Sequence, residues 1–95
     1  MKLVWSSEAI EDLREVLRDS TGEDSLASAI EIVKRIVTSV AGQLLSGPVN
    51  WRRSPFPNTR VIVIADTPFE VPYRTGLDHI QILRVFDSGQ VWSDS

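Results

Sequence analysis

The apolar positions along this chain fall into two regimes. In the first half they recur every three or four residues: Ile10, Leu13, Val16 and Leu17, then Leu26, Ala29, Ile30, Val33, Ile36, Val37, Val40, Ala41 and Leu44. That spacing places them on one side of a 3.6-residue helix, so the pattern predicts two helices, each with a buried face. Ser6 or Ser7 can cap the first by accepting a hydrogen bond from an orphan backbone N–H, and this helix ends near Asp19. Ser20-Thr21-Gly22-Glu23-Asp24 is a turn by composition. The second helix starts near Asp24 or Ser25 and stops at Ser46-Gly47-Pro48, where proline cannot continue the hydrogen-bond ladder. So short a connection predicts an antiparallel helical hairpin.

In the second half the apolar residues gather into short runs bounded by turn formers. Arg60–Ala65, Phe69–Arg74 and His79–Phe86 read as strands, separated by Asp66-Thr67-Pro68 and Thr75-Gly76-Leu77-Asp78. Lys2–Trp5 is a further β-prone segment ahead of the first helix. Residues 48–58, with three prolines, read as an irregular connector. Pro72 removes a ladder donor and predicts an edge strand or a bulge. The resulting order is β-α-α-β-β-β, an α+β class.

Composition narrows the class further. Ninety-five residues, 42% hydrophobic and 24% charged, suit one globular domain over residues 1–95. The chain has no cysteine, which removes disulfides, thiolate metal sites and Cys nucleophiles together. The N-terminus lacks the long apolar region of a secretory signal, and the longest strongly apolar run, Val61 to Ala65, is far short of a membrane span. The expectation is a soluble, cytoplasmic protein with no membrane contact. Net charge is −3. Residues 1–49 hold eight acids against five bases, while residues 50–95 hold five of each, every base there being arginine: Arg52, Arg53, Arg60, Arg74 and Arg84. An acidic balance disfavours non-specific nucleic-acid binding, which is driven by phosphate neutralisation.

Thr59-Arg60, the segment Pro68-Phe69-Glu70-Val71-Pro72-Tyr73-Arg74, then Ile82-Leu83-Arg84-Val85 and Trp92 stand in a characteristic order. Together with Trp5-Ser6, Ala9 and Asp12-Leu13 at the start, they resemble the ParE/RelE superfamily of bacterial toxins from toxin–antitoxin pairs. The resemblance spans nearly the whole chain. It implies a helical hairpin packed on a small antiparallel sheet, a cognate antitoxin, and one of two targets. ParE-like members inhibit DNA gyrase by binding; RelE-like members cleave mRNA on the ribosome.

Ribonuclease chemistry needs positioned cations and an acid–base pair. Where related toxins often show V-x-H-x-x-R-x-W, this chain has Asp87 for the His and Gln90 for the Arg, and its only tyrosine, Tyr73, belongs to the strand motif. The reading that follows is a non-enzymatic ParE-like toxin without cofactor or metal, neutralised by a ParD-like antitoxin and meeting DNA only through that complex. The alternatives are a RelE-like mRNA interferase drawing on Arg52, Arg53, Arg60, Arg84 and Asp87, or a degenerate antitoxin-binding co-repressor. Leu13, Val16, Leu17, Val33 and Val37 are expected to meet the antitoxin, with Arg60 and Arg84 pairing its carboxylates or an internal acid. Trp51, Arg52, Arg53, Arg74, Asp87 and Trp92 are the candidates for the target-binding surface. His79, the sole histidine, lacks companions for a metal site and reads as a surface or edge residue.

Overall fold

The first helix, α1 (Ser7–Arg18), begins where Ser6 places its hydroxyl 3.0 Å from the Ala9 N–H, so Ser6 and not Ser7 is the cap. Glu8 in the first turn and Arg18 in the last complement the helix dipole. The second helix, α2 (Glu23–Ala41), ends in one π-helical turn over Gly42–Ser46, close to the predicted stop. This computed structural model describes residues 2–19, 23–46, 51–53 and 57–87. Of the turn predicted over Ser20–Asp24, residues 20–22 lie outside them, as does the tail that carries Trp92, while Glu23 and Asp24 already belong to α2.

The sheet is larger than the sequence suggests. Its strands are β1 (Lys2–Trp5), β2 (Trp51–Arg53), β3 (Arg60–Val63), β4 (Phe69–Thr75), β5 (His79–Ile82) and β6 (Phe86–Asp87). The order across the sheet is β1-β5-β4-β3-β2. It is mixed rather than wholly antiparallel, because β1 runs parallel to β5, with Leu3 opposite Ile80 and Trp5 opposite Ile82. The residues expected to form an irregular connector include β2, which pairs antiparallel with β3 through Trp51 to Ile62 and Arg53 to Arg60.

Pro72 lies inside the sheet, not at its edge. Its strand, β4, is flanked by β3 on one side and by β5 and β6 on the other. Tyr73 pairs with Ile82 and Glu70 with Phe86, so two residues of β4, Val71 and Pro72, face three on the partner, Leu83, Arg84 and Val85. The extra residue is a bulge between β5 and β6, opposite the strand position that has no N–H to donate. Leu83 N–H still donates to the Pro72 carbonyl at 2.9 Å. The Leu83 carbonyl, which Pro72 cannot serve, accepts from the Ser6 hydroxyl at 2.8 Å. One serine therefore caps α1 and closes the ladder at the bulge.

Both helices cover one face of the sheet. Ala9 of α1 and Ile36 and Val40 of α2 pack with Ile62, Ile64, Val71, Tyr73, Ile80, Ile82 and Val85, and Leu3, Trp5, Leu13, Ile32, Leu44 and Phe69 fill the margins. No helix among the described residues is long and apolar enough to cross a membrane.

Candidate partner-binding site

Asp12 organises one end of the molecule. It follows Ala9 by one turn of α1, which turns it toward the sheet, and its side chain is only 12% exposed. Arg84, on the bulge, meets it in a bidentate pair, Nε donating to Oδ2 at 2.7 Å and Nη2 to Oδ1 at 3.0 Å. The Val85 N–H, freed from the ladder at the bulge, donates to the same Oδ2 at 2.9 Å. A carboxylate so held is satisfied despite its burial, and the planar guanidinium suits the two-point contact. The guanidinium carbon also lies 4.9 Å from the centroid of the Phe86 ring, within cation–π range. The hydrogen bond to Asp12 raises the Arg84 pKa above its usual value; partial burial opposes this, and the charges of Asp12, Glu8 and Glu15 add to it.

Around this pair α1 and the sheet end enclose a cleft of about 540 Å³, lined by Glu15, Asp19 and Asp87 as well as Asp12 and Arg84, with Val16, Phe69 and Val85 as its apolar wall. Among the described residues four carboxylates and one guanidinium line it, and that guanidinium is already matched by Asp12. The acids beyond Asp12 in that lining disfavour a phosphate there.

At the other end of the central strands the sign reverses. Asn58, Thr59, Arg60, Tyr73, Arg74 and Thr75 line a cleft of about 680 Å³, with two arginines and no acid among the described lining residues. Asn58 has φ of 59°, the left-handed conformation that asparagine tolerates, and it turns the chain into β3 beside that cleft. Arg60 and Arg74 are both exposed.

The helical hairpin offers a third surface. Val37 and Ile30 on α2 and Ile10 on α1 are exposed apolar residues set one position on from the core-facing Ile36, Ala29 and Ala9, and Leu26 on α2 is exposed as well. Val16, Leu17 and Val33 are half-buried beside them, and Leu13 packs on the core.

The structure thus divides the sequence candidates. Leu13, Val16, Leu17, Val33 and Val37 fall on the hairpin, Arg60 and Arg74 line the basic cleft, and Arg84 and Asp87 line the acidic one. Trp51, Arg52 and Arg53 form β2, where only the backbone is described. His79 is half-exposed at the entrance to β5, its Nδ1 3.0 Å from Asp78. Sequence reasoning missed Asp12, Glu15, Asp19 and Phe69 as cleft residues. The available signal was an acid at position 12 between Ala9 and Leu13 on the buried side of α1, a position that demands a cation.

No protein-family model matches the chain. A protein of Sinorhizobium fredii (strain NBRC 101917 / NGR234) named "Putative toxin Y4kP" is 33% identical over 91 residues, covering 96% of this chain and 92% of that one. The solved structure described as the chromosomal ParDE toxin–antitoxin system from P. aeruginosa superposes with a TM-score of 0.78 at 28% identity, over 92% of this chain and 95% of that one. The chain belongs to the ParE/RelE superfamily of toxin–antitoxin toxins. Superfamily members of both kinds share its fold. The YoeB/ParE toxin from Agrobacterium tumefaciens has a TM-score of 0.55 at 15% identity, covering 90% of this chain and 95% of that one. The E. coli DinJ-YafQ complex gives 0.55 at 11% identity, covering 90% and 91%.

Proposed function

We propose that the protein is a ParE-like toxin that inhibits DNA gyrase by binding it, and that a ParD-like antitoxin neutralises it in the cytoplasm. It acts without catalysis and meets DNA only through the antitoxin complex. The observation that carries this reading is the Asp12–Arg84 pair in its acidic surroundings. An RNA-cleaving site must gather cations around a phosphate whose charge grows in the transition state. Here the bulge arginine is held by a carboxylate at 2.7 and 3.0 Å, and Glu15, Asp19 and Asp87 share its cleft. Asp87 stands where nuclease relatives carry a histidine and supplies one more negative charge.

The antitoxin belongs on the hairpin. The half-exposed stripe of Val33, Val37, Val16 and Leu17 suits the apolar face of an amphipathic helix, the usual way such a surface is filled. The likeness to the P. aeruginosa ParDE structure favours the same pairing. The test sets two reactions side by side. Purified protein should block gyrase supercoiling or stabilise cleaved DNA, and leave ribosome-bound mRNA intact. Position-specific mRNA cuts with gyrase unaffected would replace this reading with the RelE-like one.

A further inference from the structure

We infer that α1 governs β6: through Ser6 and Asp12, the order of this helix sets whether the two-residue strand stays paired with β4. The stretch between β5 and β6 has little ladder to hold it. Pro72 offers it a carbonyl, which accepts from the Leu83 N–H at 2.9 Å, and has no N–H to offer. The other polar anchors of Leu83–Val85 among the described residues come from α1 and its cap. The Ser6 hydroxyl donates to the Leu83 carbonyl at 2.8 Å, and Asp12 takes the Arg84 guanidinium at 2.7 and 3.0 Å and the Val85 N–H at 2.9 Å. The Val85 side chain, 5% exposed, adds one apolar anchor. Beyond it β6 pairs only through Glu70 to Phe86 and Phe69 to Asp87, and both of its residues are half-buried. So short a ladder belongs to the low-stability end of a fold, where local opening is commonest.

The same helix carries part of the hairpin's outer face. Ile10 is exposed there, and Val16, one turn beyond Asp12, shares a cleft with Arg84, Val85 and Asp87. A partner that orders α1 therefore favours the state in which Asp12 is in place, which is the state in which β6 is paired. Linked opening of this kind couples two surfaces without a large rearrangement. Its use in neutralisation rests on the antitoxin reading above; the coupling itself needs no partner.

The test compares matched positions on the two helices in the ¹⁵N-labelled full chain. Arg14 on α1 and Lys34 on α2 each have a side chain 69% exposed and a glutamate partner three residues earlier. Glycine at either position weakens its own helix. Arg14→Gly should speed amide exchange at Leu83 at least about tenfold relative to Ile62 and Val71 of the central strands, whereas Lys34→Gly should leave that ratio within about twofold of wild type. Relaxation dispersion at Phe86 and Asp87 should appear in the first variant and not in the second. Asp12→Asn, which keeps the side chain's shape and removes its charge, should open Leu83 in the same way while the α1 amides keep their protection. It also keeps the test open if Arg14→Gly does not fold. Equal acceleration at Leu83 in both glycine variants, no acceleration in Arg14→Gly, or an even loss of protection across the sheet in Asp12→Asn would overturn the inference. None of these readouts uses gyrase, antitoxin or toxicity, so the coupling and the proposed function can fail separately.

Discussion

Asp12 shows how one side chain can decide what an arginine is available to do. Its partner Arg84 lies 72 residues further along the chain, so no spacing rule links them. From sequence, Arg84 could be assigned to antitoxin carboxylates or to an internal acid; the structure supplies the internal acid. Arg84→Ala should cost about 2–3 kcal/mol, because it leaves a largely buried carboxylate with the Val85 N–H as its remaining donor from this cluster. The lower figure suits an arginine side chain that is 44% exposed and therefore partly screened. Urea denaturation of Asp12→Ala, Arg84→Ala and the double variant measures their coupling. Strictly additive losses would show that the pair contributes nothing of its own. Glu8 provides a pH check at this scale. The Ser7 hydroxyl, first, and its own backbone N–H lower its pKa below 4.5. A group depressed in the folded state stabilises above its unfolded pKa and loses that contribution as pH falls through the lower folded value. Glu8→Gln should therefore narrow the stability difference between neutral and acidic pH, read from paired thermal melts.

Among the elements, both helices were legible because their periodicity is local, and Ser6 was legible as a possible cap because its chemistry is local. The strands were legible mainly as runs. Nothing in Trp51-Arg52-Arg53 announces a strand among prolines; β2 exists because β3 offers it a ladder. The break between β5 and β6 has the same origin: His79–Phe86 reads as one strand by sequence, and Pro72 on the neighbouring strand interrupts its pairing. Ser6 joins these local and non-local requirements. Ser6→Ala should cost about 2–3 kcal/mol, combining a lost helix cap with a stranded Leu83 carbonyl. Ser6→Gly leaves the Leu83 carbonyl stranded in the same way, although glycine is tolerated at a cap. A loss confined to Ser6→Ala would limit this serine to capping, whereas comparable losses in both variants would support the second bond.

The whole molecule separates its surfaces by chemistry: an acidic cleft at one end of the sheet, a basic one at the other, and exposed apolar residues along the hairpin. Sequence showed the acidic first half and the arginine-only second half, but only the strand registers show which charges share a cleft. If the hairpin receives the antitoxin, complex formation should slow amide exchange in α1 and α2 and raise the melting temperature with antitoxin concentration, as any ligand of the native state does. Protection confined to the loops, with both helices unchanged, would move that surface elsewhere.

On the proposed reading the toxin works by occupying its target and not by turnover. Binding and catalysis differ in stoichiometry. Gyrase held at a concentration well above the dissociation constant should lose supercoiling activity in proportion to added toxin, reaching its plateau near a fixed molar ratio. Ribosomes programmed with mRNA should stay intact throughout the same titration. Cleavage of many mRNA molecules per toxin, or full gyrase loss at a small fraction of that ratio, would contradict the account.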